Sequence, residues 1–303
     1  MQLYLPIAGF VINIWSVILL GCFTGFLSGF LGIGGGIVAN PVMIFFGIPS
    51  NVVIGTSSFQ LLGTSFAGTL CNLRRKTVDI KVGVIMGMGG LIGSTFGVKL
   101  LVKASSCGVA DIAVSVMFAA MMLIIIVPMY FDAIRGIIAR FSMRRIDVIA
   151  KGNFGRKSEK SSMMNVYSGV ANVYYNPVVV FVVGSVVGLV GGFLGIGGAL
   201  FSVPVMSFLM GIEFRFASAT SLFQVFMVSL NTMFWQCQNN NVDIVLGIGV
   251  LCSSAITVQI GAIAQSKVQP WISKVVFSLL ITVILFLFLF RLYSEPVSKI
   301  IAT

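Results

Sequence analysis

The sequence contains no histidine and only eight acidic residues in 303 positions. Charged residues of either sign make up 9% of the chain, hydrophobic residues make up 58%, and the mean hydropathy is +1.08. A soluble domain usually carries about 25% charged residues. The shortage of charge therefore excludes an ordinary soluble protein and indicates an integral membrane protein.

The missing residue types also restrict the chemistry. By the predicted helix boundaries, every acidic residue falls at a helix end or in a loop. No carboxylate or imidazole is therefore expected inside the membrane, where such groups usually relay protons or bind cations. A nucleophile there would lack an activating base, and the five cysteines show no metal-ligand spacing. We predict no catalytic residue, no metal site and no cofactor, and we do not expect an enzyme.

Positive charge is concentrated in two stretches, near 74–81 and 135–160, which hold twelve of the nineteen lysines and arginines. Basic loops beside membrane helices mark the cytoplasmic face. We therefore attribute the net charge of +11 to topology and to anionic lipid head groups. Membrane lipids are expected partners, and nucleic acid is not.

Eight apolar runs are long enough to span a bilayer, which takes roughly 20 residues in a helix. They cover about 14–33, 52–73, 82–103, 110–131, 177–195, 216–236, 244–264 and 272–292, and shorter runs cover about 36–47 and 199–210. The first run lacks the basic flank and cleavage site of a signal peptide, so we expect it to be retained. The predicted fold is all-α: a polytopic membrane protein with eight long helices and two short half-helices.

The chain matches itself over most of its length. The phrase GFLGIGGGIVANP at 29–41 returns as GFLGIGGALFSVP at 192–204, an offset of 163, and TSSFQ at 56–60 returns as TSLFQ at 220–224, an offset of 164. Such self-similarity indicates a duplicated unit. We predict two homologous repeats, residues 1–131 and 177–303. A basic cytoplasmic connector, residues 132–176, joins them; its first part is helix-like and its middle, GNFGRKSEKSS, is a flexible linker.

The charges favour inverted repeats. If each short segment counts as a crossing, each repeat has five, and the second repeat is upside down relative to the first. That topology places fifteen of the nineteen basic residues inside and four outside, whereas parallel repeats place fourteen inside and five outside.

The glycine phrases break the helices where a site is expected. A backbone that leaves the helical path inside a membrane must be packed in protein or must line a polar cavity. The start of the following half-helix presents N–H donors and a partial positive charge, which suit an anion. The alternative is that the glycines permit close helix packing. The candidate substrate-binding glycines are Gly32, Gly34, Gly35 and Gly36, with Gly195, Gly197 and Gly198 in the second copy.

The TSSFQ and TSLFQ segments supply a second group of candidates. Thr56 and Gln60 are four residues apart and share a helix face, as do Thr220 and Gln224. An unpaired amide is costly in lipid, so these side chains must contact substrate or bond to a neighbouring helix; both interpretations are open. Asp79 and Asp243 precede apolar runs and are predicted helix N-caps. The further candidates are Ser57, Ser221 and Asn40.

These residues resemble the sulfite exporter TauE/SafE family of bacterial membrane transporters, also called domain of unknown function 81. The resemblance rests on GFLSGFLGIGGGIVANPVMIFFGIP with GTSSFQ, and on GLVGGFLGIGGALFSVPVM with ATSLFQ. It covers nearly the whole chain outside residues 132–176. It implies a multi-pass permease of the bacterial inner (plasma) membrane that moves sulfite, sulfonates or other small sulfur-containing anions, often outward.

We therefore expect a secondary transporter that binds a small anion between its repeats and moves it by alternating access. Three alternatives stay open: an anion channel, a membrane protein without a transported substrate, and a thiosulfate or persulfide carrier that uses Cys71 and Cys237. Facilitated diffusion stays open beside ion coupling, and the sequence predicts neither a coupling ion nor an oligomeric state.

Overall fold

The computed structural model describes residues 2–5, 10–32, 34–141, 166–168, 173–208 and 210–294. Ten α-helices make up most of these residues, which confirms the predicted all-α class. The helices are α1 (Ile14–Leu31), α2 (Gly36–Phe45), α3 (Ser50–Arg74), α4 (Ile80–Ser106), α5 (Ala110–Phe141), α6 (Pro177–Leu194), α7 (Ala199–Phe208), α8 (Phe214–Gln238), α9 (Ile244–Lys267) and α10 (Pro270–Ser294).

Glycine ends both helices that were expected to break. α1 stops at Gly32 and α6 stops at Gly195, with φ of 72° and 67°, a left-handed conformation that glycine adopts without steric cost. The half-helices α2 and α7 follow within a few residues and have ten residues each. At about 1.5 Å per residue, neither is long enough to cross a bilayer core of about 30 Å.

Glycines also allow two pairs of helices to pack with their backbones in contact. These contacts show the direction in which each helix runs relative to its neighbour. Residue numbers rise together along α1 and α9 and along α4 and α6, so both pairs are parallel. The meeting positions are Gly21 with Val250, Gly25 with Ser254, Gly29 with Val258, Met86 with Gly184, Gly90 with Gly188 and Ser94 with Gly192.

The remaining central contacts fix the other directions. α3 is parallel to α9 and α8 is parallel to α4, whereas α3 and α8 are antiparallel, because Gly68 meets Leu222 while Gly55 meets Asn241, just past the end of α8. It follows that α1 and α6, which begin the two self-similar segments, run in opposite directions. The supporting positions are Phe59 with Gly247, Gly63 with Leu251, Gly83 with Phe223 and Gly87 with Met227.

The helices differ in hydropathy according to their place. α1, α4, α6 and α9 are long and apolar enough to cross a membrane. Each exposes large apolar side chains outward, for example Trp15, Phe96, Val186 and Ile256. α3 and α8 are equally long but carry more polar residues, and they pack against each other and against α9 and α4. The described chain is therefore a multi-pass membrane protein with its polar helices at the centre.

Three further features bear on the sequence-based expectations. Two short antiparallel hairpins were not predicted: β1 (Gln2–Leu5) pairs with β2 (Phe10–Asn13), and β3 (Val166–Ser168) pairs with β4 (Val173–Tyr175). α5 continues to Phe141, ten residues past the end of the predicted apolar run at 131, which agrees with the helix-like pattern predicted for the first part of the connector. The predicted linker GNFGRKSEKSS lies outside the described residues.

Candidate functional site

The two glycine turns meet each other. A Cβ added at Gly36 would lie 3.2 Å from Ile196 Cα and 3.3 Å from the carbonyl oxygen of Gly195, and one added at Gly34 would lie 3.7 Å from Ala199 Cβ. Four glycines within the turns, Gly34, Gly35, Gly197 and Gly198, have φ between 63° and 78°. The structure thus brings together the candidate glycines of both sequence copies.

Two reciprocal hydrogen bonds join each glycine turn to the TSSFQ or TSLFQ segment of the other sequence copy. Ser221 Oγ donates to Gly32 O at 2.6 Å, and Ser57 Oγ donates to Gly195 O at 3.2 Å. Both accepting carbonyls belong to the residue that ends its helix, where the last C=O groups lack helical partners. The two serines therefore act here as caps of the broken helices.

The neighbouring threonines form a second crossed pair. Thr56 Oγ1 accepts the backbone N–H of Asp243 at 3.1 Å, and Thr220 Oγ1 accepts that of Asp79 at 3.0 Å. The prediction that Asp79 and Asp243 cap helices is confirmed, since each accepts from a backbone N–H three residues on. The threonines thus fix the start of α4 and α9, and both are completely buried.

The glutamines and Asn40 have only part of their hydrogen-bonding capacity used. Gln60 Nε2 donates to Thr24 Oγ1 at 3.0 Å, Asn40 Nδ2 donates to Leu194 O at 2.8 Å, and the Gln224 amide meets Ser202 Oγ. Among the described residues, Gln60 Oε1, Asn40 Oδ1 and Gln224 Nε2 find no hydrogen-bond partner. A buried amide that is half satisfied costs free energy, so these atoms are available for a bound species.

The half-helix starts are less open than the sequence suggests. Val38 N and Ala39 N both bond to Gly35 O at 3.1 Å, and Phe201 N and Ser202 N bond to Gly198 O in the same way. The turns are also covered: a Cβ at Gly34 would meet Leu61 and Val225, and one at Gly197 would lie 2.7 Å from Val225 Cγ1. All candidate residues are buried. In the described conformation, apolar side chains cover the glycine turns, so the broken backbone is packed in protein.

The sequence reasoning missed the residues that fill and support this centre. Leu61 and Val225 directly follow Gln60 and Gln224 and occupy matched positions at the offset of 164, a signal that could have found them. Thr24, Ser28 and Ser202 have no polar counterpart in the other copy. Comparison of the two copies therefore could not point to them. Asn231 Nδ2 lies within hydrogen-bonding distance of Leu91 O, Ser94 Oγ and Thr95 Oγ1 and joins α8 to α4.

In α1 to α4 and α6 to α9, charged residues lie near the helix ends. α5 differs from the expectation, because it contains Asp132 and Arg135 within its length. The first charged residue of the chain is Arg74, and none lies between Lys160 and Glu213. Arg75 donates to Ala262 O at 3.0 Å and to Ser266 Oγ at 2.7 Å near the end of α9, and Lys99 lies 5.5 Å from the Trp235 ring centroid. Lys103 and Lys267 lie in the last turns of α4 and α9. An anion at the glycine turns would meet only neutral dipoles.

Comparison with known proteins gives one family and several partial relatives. The family model described as "Sulfite exporter TauE/SafE" matches residues 17–287. "Probable membrane transporter protein YdhB" of Bacillus subtilis is 35% identical over 85 residues, 28% of this chain and 35% of the relative. "Probable membrane transporter protein YjnA" of the same organism is 29% identical over 86 residues, 28% of this chain and 34% of the relative.

A third relative is archaeal. "Probable membrane transporter protein MJ0441" of Methanocaldococcus jannaschii is 34% identical over 97 residues, 29% of this chain and 36% of the relative. The matched stretches thus cover about a third of each relative. No solved structure shows significant similarity to the chain.

Proposed function

The chain belongs to the sulfite exporter TauE/SafE family, and from this we propose that it is a secondary transporter of small sulfur-containing anions, with sulfite and organic sulfonates as its substrate class. Export is the direction that the family description names. The protein would lie in the bacterial inner membrane with its basic connector in the cytoplasm. Its self-similar halves would be inverted repeats, and the opposite directions of α1 and α6 support that arrangement.

The observation that carries the proposal is the meeting of two broken helices in a charge-free centre. Backbone N–H groups at a helix start and side-chain amide and hydroxyl groups bind an anion without a buried ionised side chain. The glycine turns and Gln224 supply such groups. Among the unpartnered side-chain atoms in the described part of the chain, Gln224 Nε2 is a donor that can bind an anion, whereas Gln60 Oε1 and Asn40 Oδ1 are acceptors.

Closure over the site fits alternating access. Leu61 and Val225 cover the turns in the described conformation, so a substrate needs a second conformation in which one or both side chains withdraw. Each half is bonded to the other at its helix ends, through Ser57, Ser221, Thr56 and Thr220. A rocking motion of one half against the other would break these hydrogen bonds together. It would open the centre to one side of the membrane at a time.

The test is a flux assay with purified protein in proteoliposomes. Sulfite, sulfate, thiosulfate, sulfoacetate and a carboxylate are compared in both directions across the membrane. We expect sulfite or sulfoacetate flux that saturates with concentration. Gln224→Leu should lower the apparent affinity for the anion, and Gln259→Leu serves as the control, because Gln259 is exposed and bonds only within its own helix. Absence of flux for every sulfur anion would refute the proposal. A conductance as large as that of an ion channel would show that the protein is a channel and not a transporter.

A further inference from the structure

Two buried oxygen atoms near the first glycine turn have no described partner. Gln60 Oε1 and Ser28 Oγ belong to side chains that are 0% exposed, and neither finds a hydrogen bond among the residues that the structure describes. Each such atom costs about 1–3 kcal/mol when it is left without a partner. A bound species that satisfies both oxygens would remove this cost.

The hydrogen bonds of Thr24 decide which atom of the Gln60 amide is free. Thr24 Oγ1 donates its one proton to Leu20 O at 2.8 Å, so it has only lone pairs left for Gln60. With the proton on Leu20 O, the 3.0 Å contact between Thr24 Oγ1 and the Gln60 amide is a hydrogen bond only with the Gln60 nitrogen on that side, which is the described orientation. The free atom is the oxygen, which accepts hydrogen bonds or coordinates a cation.

The three side chains lie close together beside the first glycine turn. Thr24 and Ser28 are one turn apart on α1 and lie on the same face. Gly35 covers that face, because a Cβ added to it would lie 3.1 Å from Thr24 O and 3.6 Å from Ser28 Cβ. α1 ends at Gly32, and the carbonyl end of a helix carries partial negative charge. Two unpartnered oxygen atoms thus lie near the negative end of a helix dipole.

We propose that Gln60, Ser28 and Thr24 form a binding site for a monovalent cation, Na⁺, that is carried with the anion. The inference rests on the proposed transport function. Unwound backbone carbonyls and helix carbonyl ends are where membrane transporters coordinate Na⁺. A Ca²⁺ or Mg²⁺ site ordinarily includes carboxylates, and the chain has no charged residue before Arg74.

The negative charge of the substrate is the reason to expect a bound cation. An unpaired anion in a low-dielectric interior is costly, and the centre offers no lysine or arginine among the described contacts of the glycine turns. A cation bound beside the first turn would offset this cost. Only the first half offers the site, because Val187 and Gly191 stand at the positions matched to Thr24 and Ser28. One cation per chain is the expected stoichiometry.

The first experiment measures Na⁺ binding directly. Purified full-length protein is titrated with radioactive sodium at constant ionic strength, with choline as the replacement cation. Wild-type protein should bind saturably, and Thr24→Val, which introduces the residue found at the matched position, should weaken binding at least about tenfold, as loss of a ligand-orienting group does. Ser28→Ala should also weaken it. Ser229→Ala is the matched control, because Ser229 is buried and bonds within α8.

The second experiment separates this inference from the proposed function. Anion flux is measured in proteoliposomes that contain Na⁺, K⁺ or choline. Flux that rises with Na⁺ and loses this dependence in Ser28→Ala supports the site. Equal flux in all three cations overturns the coupling cation and leaves the anion transporter intact, and a wild-type protein that binds no sodium overturns the site. Saturable sodium binding without anion flux in any cation supports the site and refutes the transport function.

Discussion

Ser221 Oγ donates a 2.6 Å hydrogen bond to the carbonyl oxygen of Gly32, the residue at which α1 ends. The two residues are 189 positions apart, so a side chain of α8 caps a helix in the other half of the sequence. Ser57 makes the reciprocal contact to Gly195 at 3.2 Å. Each hydroxyl also bonds to a carbonyl of its own helix, Ser221 to Ser218 O at 2.8 Å and Ser57 to Ile54 O at 3.2 Å, so the two crossings differ in length and not in the number of their acceptors. The first crossing is therefore the stronger of the two.

This difference predicts unequal effects of removing the two hydroxyl groups. Ser221→Ala should lower the free energy of unfolding by about 1–2 kcal/mol, because the C=O of Gly32 loses a short bond inside the protein. Ser57→Ala should cost less, since both bonds that it removes are longer, at 3.2 Å. Thermal unfolding in detergent measures both. Ser229→Ala, which loses only a bond within α8, is the control, and a larger loss for Ser57→Ala than for Ser221→Ala would contradict the assignment.

Gly36, the third glycine of the GGG run in the first phrase, must be small because another part of the backbone lies close to it. Gly36 lies where its second-copy counterpart is Ala199, yet a Cβ at Gly36 would lie 3.2 Å from Ile196 Cα and 3.3 Å from Gly195 O. Both are backbone atoms, which do not move aside as a flexible side chain does. We expect Gly36→Ala to destabilise the protein by about 1–3 kcal/mol and to slow transport by pushing the two turns apart.

The exchange in the other direction is the control for this prediction. Ala199→Gly adds no atom to the contact, so it should cost only about 0.5–1 kcal/mol through backbone entropy. Unfolding temperatures and flux rates for the two variants are compared in the same detergent and lipid. Equal behaviour of Gly36→Ala and Ala199→Gly would show that the close approach of the turns is not required.

Several elements of this arrangement follow from the sequence, and others do not. The apolar runs and the glycine phrases predict ten helices and the breaks at Gly32 and Gly195, because helix length and backbone freedom are local properties. The filling of the centre by Leu61 and Val225 does not follow, since an apolar residue in a membrane helix faces lipid or protein with the same local pattern. The serine caps are also unpredicted, because they depend on contacts between segments 138 and 189 residues apart.

The contact between Gly197 and Val225 allows a double-mutant test. A Cβ at Gly197 would lie 2.7 Å from Val225 Cγ1, a clash with one side chain. Gly197→Ala should therefore destabilise the protein by about 2–4 kcal/mol, which combines overpacking with the cost of a left-handed alanine. In a Val225→Ala background the clash disappears and only the backbone cost of about 1–2 kcal/mol remains.

The measured quantity is the coupling free energy of the cycle, obtained from unfolding of the four proteins. We expect a coupling of at least about 1 kcal/mol in favour of the double mutant, because the two positions are in contact. Additive effects would mean that Val225 does not lie over Gly197 in the folded protein. Gly211→Ala gives the conformational reference, since Gly211 has φ of 68° and open space around its missing Cβ.

Tyr175, at the end of β4 and just before α6, gives a prediction on pH. Its hydroxyl is buried and has no partner in the described part of the chain. Burial, together with the negative charge of Asp79, raises the pKa of Tyr175 above its ordinary value of 10.0. The folded protein therefore holds the proton at a pH where the unfolded chain releases it. This contribution to stability is complete below the unfolded pKa and is lost as the pH rises through the folded pKa.

Tyr175→Phe tests both consequences. Near pH 7 the variant should be as stable as the wild type or more stable by about 1 kcal/mol, because phenylalanine removes a buried hydroxyl that lacks a hydrogen bond. Above pH 10 the wild type should lose stability faster than the variant, since only the wild type has a phenol to ionise. Unfolding temperatures across pH 7 to 11 measure the difference. A marked loss of stability in Tyr175→Phe near neutral pH would show that the hydroxyl has a partner and that its burial is not a cost.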